Sequence, residues 1–204
     1  MMKPLILALD LEGVLVPEIW VAVARQTGIE ALGLTTRDEP DYDALMRKRL
    51  DALDRHGVRL SDIRAIIAEL EPLPGASRFL AAMREQAQAV LLSDTFYEFA
   101  GPLMRKLDWP TLFCNSLETD ADGRIVGYRL RKPDGKRAAV QAFQELRFAV
   151  VAVGDSYNDT GMLAQADVGL LFQPSENVRR DFPRFPVTQT YGDIEQAVAR
   201  ALTE

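Results

Sequence analysis

LILALDLEGVLVPE, residues 5–18, starts as a buried strand and then sets two acids, Asp10 and Glu12, where the apolar run should continue. An ionised carboxylate in a core is costly unless it is paired, hydrogen-bonded or bound to a cation. The two acids therefore either face water at the strand's carboxyl end or meet something positive. Side chains alternate along an extended chain, so Asp10 and Glu12 fall on the same side, and Gly13 then lets the backbone turn away.

Beyond this stretch, short apolar runs bounded by turn residues recur at 89–92, 111–114, 148–153 and 168–172. Helical patterns occupy most of the intervals, at 76–85, 102–107, 136–145, 159–165 and 194–202. Strands alternating with helices predict an α/β fold with a mostly parallel sheet. In such sheets ligands bind beyond the carboxyl ends of the strands. Asp10 follows LILAL, Ser93 follows AVLL and Asp155 follows FAVVAVG, so three polar residues are expected to converge at one end of the sheet.

Two segments break the alternation. About 70 residues between the first two strands are too many for one plain connection, which predicts an inserted helical subdomain. Its helices are expected at 18–27, closed by Gly28, at 42–56, closed by Gly57, and in a third stretch with Ser61 as N-cap that stops at Pro72. The second break, LETDADGRIVGYRLR, alternates about Ala121-Asp122-Gly123 and predicts a β-hairpin flap.

Composition narrows the function. The chain has 204 residues, 48% apolar and 26% charged, with a formal net charge of −6. That is ordinary globular composition, and the negative charge argues against nucleic acid or an anionic membrane as partner. A single cysteine, Cys114, excludes an internal disulfide and a multi-Cys zinc site, and reads as a buried thiol. The lone histidine, His56, precedes Gly57 and suits the last turn of a helix better than a catalytic triad. The N-terminal apolar run is too short to span a membrane, and its acids exclude a signal-peptide core. The expected location is cytoplasmic.

The stretch VVAVGDSYND brings Asp155, Ser156, Asn158 and Asp159 out of a strand and into a helix. Asp159 could serve only as an acid at a helix start. Together with Asp10 and Glu12, however, these acids crowd one end of the sheet, where mutual repulsion calls for a cation. Oxygen donors without His or Cys favour Mg²⁺. Acids, Mg²⁺ and a nearby lysine suit phosphoryl transfer with an aspartate as covalent nucleophile. The lysine would be Lys136, in RKPDGKRAAV, which by itself reads as one more solvated charge at a helix start. A cation there opposes the helix dipole, which hints at another reason for it.

The ordered set DLEGVLV, LLSDTF, Lys136 and GDSYND resembles the four motifs of the haloacid dehalogenase superfamily of phosphatases, over nearly the whole chain. Within it the chain looks most like the phosphoserine phosphatases, and nearest to the bifunctional kind that also passes the phosphoryl group to homoserine. The resemblance implies a Rossmann-like core of residues 1–16 and 73–204, with a helical type-1 cap at 17–72. It implies Asp10 as nucleophile and Glu12 as general acid and base. Mg²⁺ would be held by Asp10, the backbone carbonyl of Glu12 and Asp155, with Asp159 in or near the shell. Ser93, Lys136 and Asn158 would bind the phosphate, and Asp94 and Thr95 of the second motif would contact substrate.

In YDALMRKRL, Arg49 resembles the residue that takes the substrate carboxylate; a solvated helix face is the lesser alternative. Glu18 resembles the acid that takes the substrate ammonium; an acid in the first helical turn after Pro17 is nearly as good a reading. Three departures stand out: Glu12 where the family has a second Asp, SDTF where Ser-Gly-Gly is expected, and Glu18 one residue nearer the nucleophile. The expected partners are small molecules, phosphoserine and homoserine, and a homodimer is compatible with the chain. Two other readings are a phosphatase for a different small monoester and a receiver-type signalling module. Receivers place the acceptor Asp after a middle strand and lack both the second acid and a large insertion.

Overall fold

The structure, a computed structural model, describes residues 3–35, 38–39 and 41–203. Five apolar residues, Leu5–Leu9, form β1, buried along its whole length. It pairs in parallel with β2 (Gln88–Phe96) on one side and β5 (Ala149–Gly154) on the other. β3 (Thr111–Thr119), β4 (Ile125–Arg129), β6 (Val168–Phe172) and β7 (Val187–Thr188) complete a sheet of order β4-β3-β2-β1-β5-β6-β7. Every pairing is parallel except β3 with β4, which closes the expected hairpin. The chain therefore has the expected α/β architecture with a Rossmann-like, mostly parallel sheet.

A strand buried on both faces reads as a continuous apolar run, and its alternation assigns the faces. Leu5, Leu7 and Leu9 join one core cluster, and Ile6 and Ala8 the other. The first cluster receives α1 (Ile19–Thr27), α3 (Leu60–Glu69), α4 (Ala76–Arg84), α5 (Tyr97–Lys106) and α9 (Tyr191–Ala201). The second receives α6 (Gly135–Glu145), α7 (Thr160–Gln165) and α8 (Glu176–Asp181). Burying both faces makes the sheet rigid and leaves its carboxyl edge as the place for ligands.

Between β1 and α4 lie α1, a 3-10 turn at Glu30–Gly33, α2 (Tyr42–His56) and α3. Asp41 starts α2 by accepting from the amides of Asp43 (2.9 Å) and Ala44 (3.1 Å). His56 ends it, as expected. Ser61 is not the N-cap of α3. The helix starts one residue before it, because Asp62 accepts from the Arg59 amide at 2.9 Å and the Leu60 amide bonds Gly123 O at 3.0 Å.

The hairpin turn is held by Asp120 Oδ1, which accepts from the amides of Asp122 and Arg124 at 2.9 Å each. It leans on the helical segment: Arg59 donates to Asp122 O at 2.7 Å, and the Tyr128 hydroxyl donates to Asp43. The second strand is longer than its apolar run. SDTF stays extended up to Phe96, with a register break against β3 between Leu92 and Phe96. Helix α5 then begins at Tyr97 rather than at 102, and Pro102 lies inside it, where it removes one helical donor. The short α8 and β7 carry too weak a pattern to have been expected. Among the described residues no helix is long and apolar enough to cross a membrane.

Candidate active site

The ladder between β1 and β5 continues one residue past the strand, where the Asp10 amide donates to Val153 O at 2.9 Å. Asp10 is thereby fixed at the carboxyl edge, and the residue is 4% exposed. Its Oδ1 accepts from the Leu11 amide at 2.8 Å and from Lys136 Nζ at 2.8 Å. Among the described residues no hydrogen bond to Oδ2 is found.

Lys136 is not the solvated charge that its surroundings in sequence suggest. It is the second residue of α6 and is buried, with Nζ 2.7 Å from Asp159 Oδ1 and 3.7 Å from Asp94 Oδ2. Burial alone would neutralise the ammonium, but Asp10 and Asp159 outweigh it and raise its pKa well above the ordinary lysine value. These carboxylates also offset the unfavourable dipole at the start of α6.

Asp159 is wholly buried and organises the loop after β5. Its Oδ2 accepts from the amides of Asp155 (2.9 Å) and Ser156 (3.1 Å), while Oδ1 meets Lys136. Both oxygens are thus engaged by protein donors. A β-carbon on Gly154 would fall 2.3 Å from the Asp159 side chain, so glycine is required by this close approach.

One carboxylate oxygen each from Asp10, Asp155 and Asp159 lie within 4.8 Å of one another. Burial, and then the charge of Asp159, push Asp10 well above the usual carboxylate range and Asp155 up to about 7. Crowded hard oxygens that resist ionisation are what a divalent cation relieves, so the donor set fits Mg²⁺. Gly13 backs this group: its φ is +77°, and a β-carbon there would lie 2.6 Å from the Asp155 carboxylate.

Glu12 leaves the extended path, since a tight turn begins directly after β1 and Gly13 bonds back to Val16 at 2.8 Å. Its Oε2 accepts from the Ile19 amide at 2.7 Å, satisfying an orphan donor at the start of α1. The extra methylene relative to Asp is taken up in reaching that helix. Burial, and next Glu18, raise the Glu12 carboxyl to about 7.

A cavity of about 710 Å³ opens over these groups. Asp10, Glu12, Glu18, Arg49, Ser93, Asp94, Thr95, Lys136 and Asn158 all line it. Ser93 and Thr95 are buried; the Thr95 amide bonds Ser93 Oγ at 3.2 Å. Asp94 is more open and accepts from Asn158 Nδ2 at 2.8 Å, which joins the second motif to the fourth. Asp155, close to Asp10 in the acidic group, is not among the lining residues.

Arg49 does not occupy a solvated helix face. It is 6% exposed, its guanidinium carbon is 4.6 Å from the centre of the Trp20 ring, and NH2 donates to Leu34 O at 2.6 Å. Its Nε is buried and has no hydrogen-bond partner among the described residues. Burial lowers its pKa to about 10, which leaves it a cation at neutral pH.

Trp20, Tyr42 and Asn115 are among the lining residues that escaped the sequence reading. Trp20 reads as an apolar position of α1, and Tyr42 as the first residue of α2. Asn115 follows TLFC as Asp10 follows LILAL, so the same strand-exit argument could have found it. Its Nδ2 donates to Asp94 O (3.3 Å) and its Oδ1 accepts from the Arg131 amide (3.1 Å), tying β2, β3 and the loop before α6 together.

A family model described as haloacid dehalogenase-like hydrolase matches residues 6–167. The chain belongs to this family. Among similar proteins, phosphoserine phosphatase ThrH of Pseudomonas aeruginosa is 57% identical over 196 residues, covering 96% of each chain. A phosphoserine phosphatase of Pseudomonas syringae pv. tomato is 55% identical, covering 96% of this hydrolase and 83% of the relative. A solved phospho-aspartyl intermediate analogue of phosphoserine phosphatase superposes with a TM-score of 0.78 at 19% identity, over 97% and 99% of the two chains. At that identity the likeness speaks for the shared fold.

Proposed function

We propose that this hydrolase is a Mg²⁺-dependent phosphoserine phosphatase that works through an aspartyl-phosphate and can also pass the phosphoryl group to homoserine. One observation carries the reading: a single cavity is lined by a nucleophile gripped by Lys136 and by a buried guanidinium, Arg49, whose Nε has no partner among the described residues. The first suits a phosphate ester and the second a carboxylate, and phosphoserine has both. The two Pseudomonas relatives, named phosphoserine phosphatases, support the same substrate.

Residues 1–16 and 73–204 form the catalytic core, and residues 17–72 are the cap that closes over it. Ser93, Lys136 and Asn158 hold the phosphate. Arg49 takes the carboxylate, Glu18 the ammonium, and Asp94 and Thr95 complete the substrate contacts. Asp10 Oδ2 attacks phosphorus in line, and the bond from phosphorus to the serine oxygen breaks. Glu12 donates its proton to that oxygen, so serine leaves neutral at the hydroxyl. In the second step Glu12 takes a proton from water or from the homoserine hydroxyl, whose oxygen attacks phosphorus and frees the Asp10 carboxylate. Asp10, the Glu12 backbone carbonyl and Asp155 would hold Mg²⁺, with Asp159 ordering the loop. When bound, the ion neutralises charge on the transferring phosphoryl group. The enzyme would work in the cytoplasm.

The test is Mg²⁺-dependent phosphate release from a panel of small monoesters, with and without homoserine. The expected result is a preference for phosphoserine and the appearance of phosphohomoserine. If another monoester were preferred, the chain would be a phosphatase of the same family for that compound. Absence of phosphohomoserine would remove the transfer activity.

A further inference from the structure

The Arg49 guanidinium has few partners for its five donors. Among the described residues, NH2 has the Leu34 carbonyl, NH1 the Met46 sulfur at 3.8 Å, and Nε no partner. These bonds hold the fork only at its terminal nitrogens, and the indole of Trp20 adds a support of another kind: the guanidinium carbon lies over its ring, 4.6 Å from the centre.

Trp20 is itself held from two directions. The edge of Phe99, on α5, meets its ring at 5.3 Å and 71°, which ties it to the sheet side of the molecule. Its neighbour Ile19 starts α1 and donates its amide to Glu12. Trp20 is 8% exposed, and it lines the same cavity as Arg49 and Asp10. A buried aromatic face is an effective support for a guanidinium, which keeps its edge donors free while its face is stacked.

We infer that Trp20 is a positioning residue for substrate specificity: its ring supports the Arg49 guanidinium in the wall of the cavity, so that the donors left over from its own contacts meet a carboxylate on the bound phosphomonoester. This rests on the proposed role of Arg49. Trp20 touches the arginine and needs no contact with the reacting phosphate. Its loss should weaken recognition of the carboxylate and spare the chemistry at Asp10.

Phosphoserine and phosphoethanolamine share the phosphate and the amine and differ in the carboxylate, so comparing them isolates the effect. With native enzyme, phosphoserine should have kcat/KM at least tenfold above phosphoethanolamine; equality would overturn the role of Arg49, and this inference with it. In Trp20→Leu, KM for phosphoserine should rise about tenfold with kcat within twofold, while both constants for phosphoethanolamine stay within twofold. Trp20→Phe keeps an aromatic face and should recover most of the loss. Adding Arg49→Ala to Trp20→Leu should raise KM for phosphoserine no further than Arg49→Ala alone. Equal losses on both substrates, or an unchanged phosphoserine KM with the native preference intact, would overturn the inference. Circular dichroism and thermal unfolding identify a variant that has lost its fold, and Trp20→Phe then decides by its KM ratio between the two substrates.

Discussion

Glu12 Oε2 accepts a 2.7 Å hydrogen bond from the Ile19 amide, so the acid two residues after the candidate nucleophile also secures the first turn of α1. An aspartate at position 12 would be shorter by one methylene and would not span the same gap without a backbone shift. The glutamate therefore links the turn after β1 to the helix that carries Trp20. Oε1 has no hydrogen bond among the described residues, which suits the proton transfer proposed for Glu12.

Two substitutions at Glu12 separate these tasks. Glu12→Gln keeps the length and an acceptor oxygen but loses the titratable proton. It should lower kcat by roughly 10²–10⁴ while leaving thermal stability nearly unchanged. Glu12→Asp keeps the acid and releases the Ile19 amide, at a cost of about 1 kcal/mol in stability. Steady-state kinetics and urea unfolding measure the pair. Full activity in Glu12→Gln would remove Glu12 from proton transfer.

Lys136→Met should be among the most damaging changes in the chain. It leaves Asp10 and Asp159 buried without their cation, and breaking a buried pair in this way costs about 3–5 kcal/mol. Equilibrium unfolding reads the loss directly. A destabilisation below about 1 kcal/mol would mean that the carboxylates rearrange or become protonated at little cost.

Gly13→Ala meets two obstacles, a positive φ and an approach of 2.6 Å to the Asp155 carboxylate. The expected effect is about 1–3 kcal/mol of destabilisation, together with a raised Mg²⁺ requirement for activity because Asp155 must move. Activity titrated against Mg²⁺ tests this. Native Mg²⁺ dependence in a folded Gly13→Ala enzyme would exclude Asp155 from the ion's environment.

Cys114 lines the cavity, yet burial pushes its thiol up to about 12 from 9.0. At pH 8 it should stay protonated and react with a disulfide reagent far more slowly in folded protein than in denatured protein. Because the folded pKa is raised, the associated stability is complete below pH 9 and is lost as pH rises toward 12. Rapid labelling of native enzyme at pH 8 would contradict this assignment.

Much of the architecture is legible in the chain itself. Five apolar runs with helical patterns between them specify the parallel sheet, because a strand covered on both faces must be apolar throughout. The hairpin follows from Asp122-Gly123, a local turn signal. β2 was harder to read: SDTF looks like a strand exit but remains extended, because pairing of Phe96 with Asn115 on β3 outweighs the polarity of Ser93 and Asp94. Asp10, Ser93 and Asp155 could be placed at one end of the sheet from strand order alone.

Charge state and partners could not be read this way. As sequence, Lys136 among Arg131, Lys132 and Arg137 is an ordinary basic stretch, and Arg49 beside Arg47 and Lys48 is another. Burial among carboxylates from three other segments singles out Lys136, and a ring from α1 singles out Arg49. Periodicity and turn chemistry act between neighbours in the chain, so the sequence by itself determined the order of strands and helices and the types of residue available to the site. Electrostatics and stacking act between atoms close in space, so only the tertiary structure decided that Glu12 reaches α1, that Asp159 is occupied by its own loop, and that Trp20 supports Arg49.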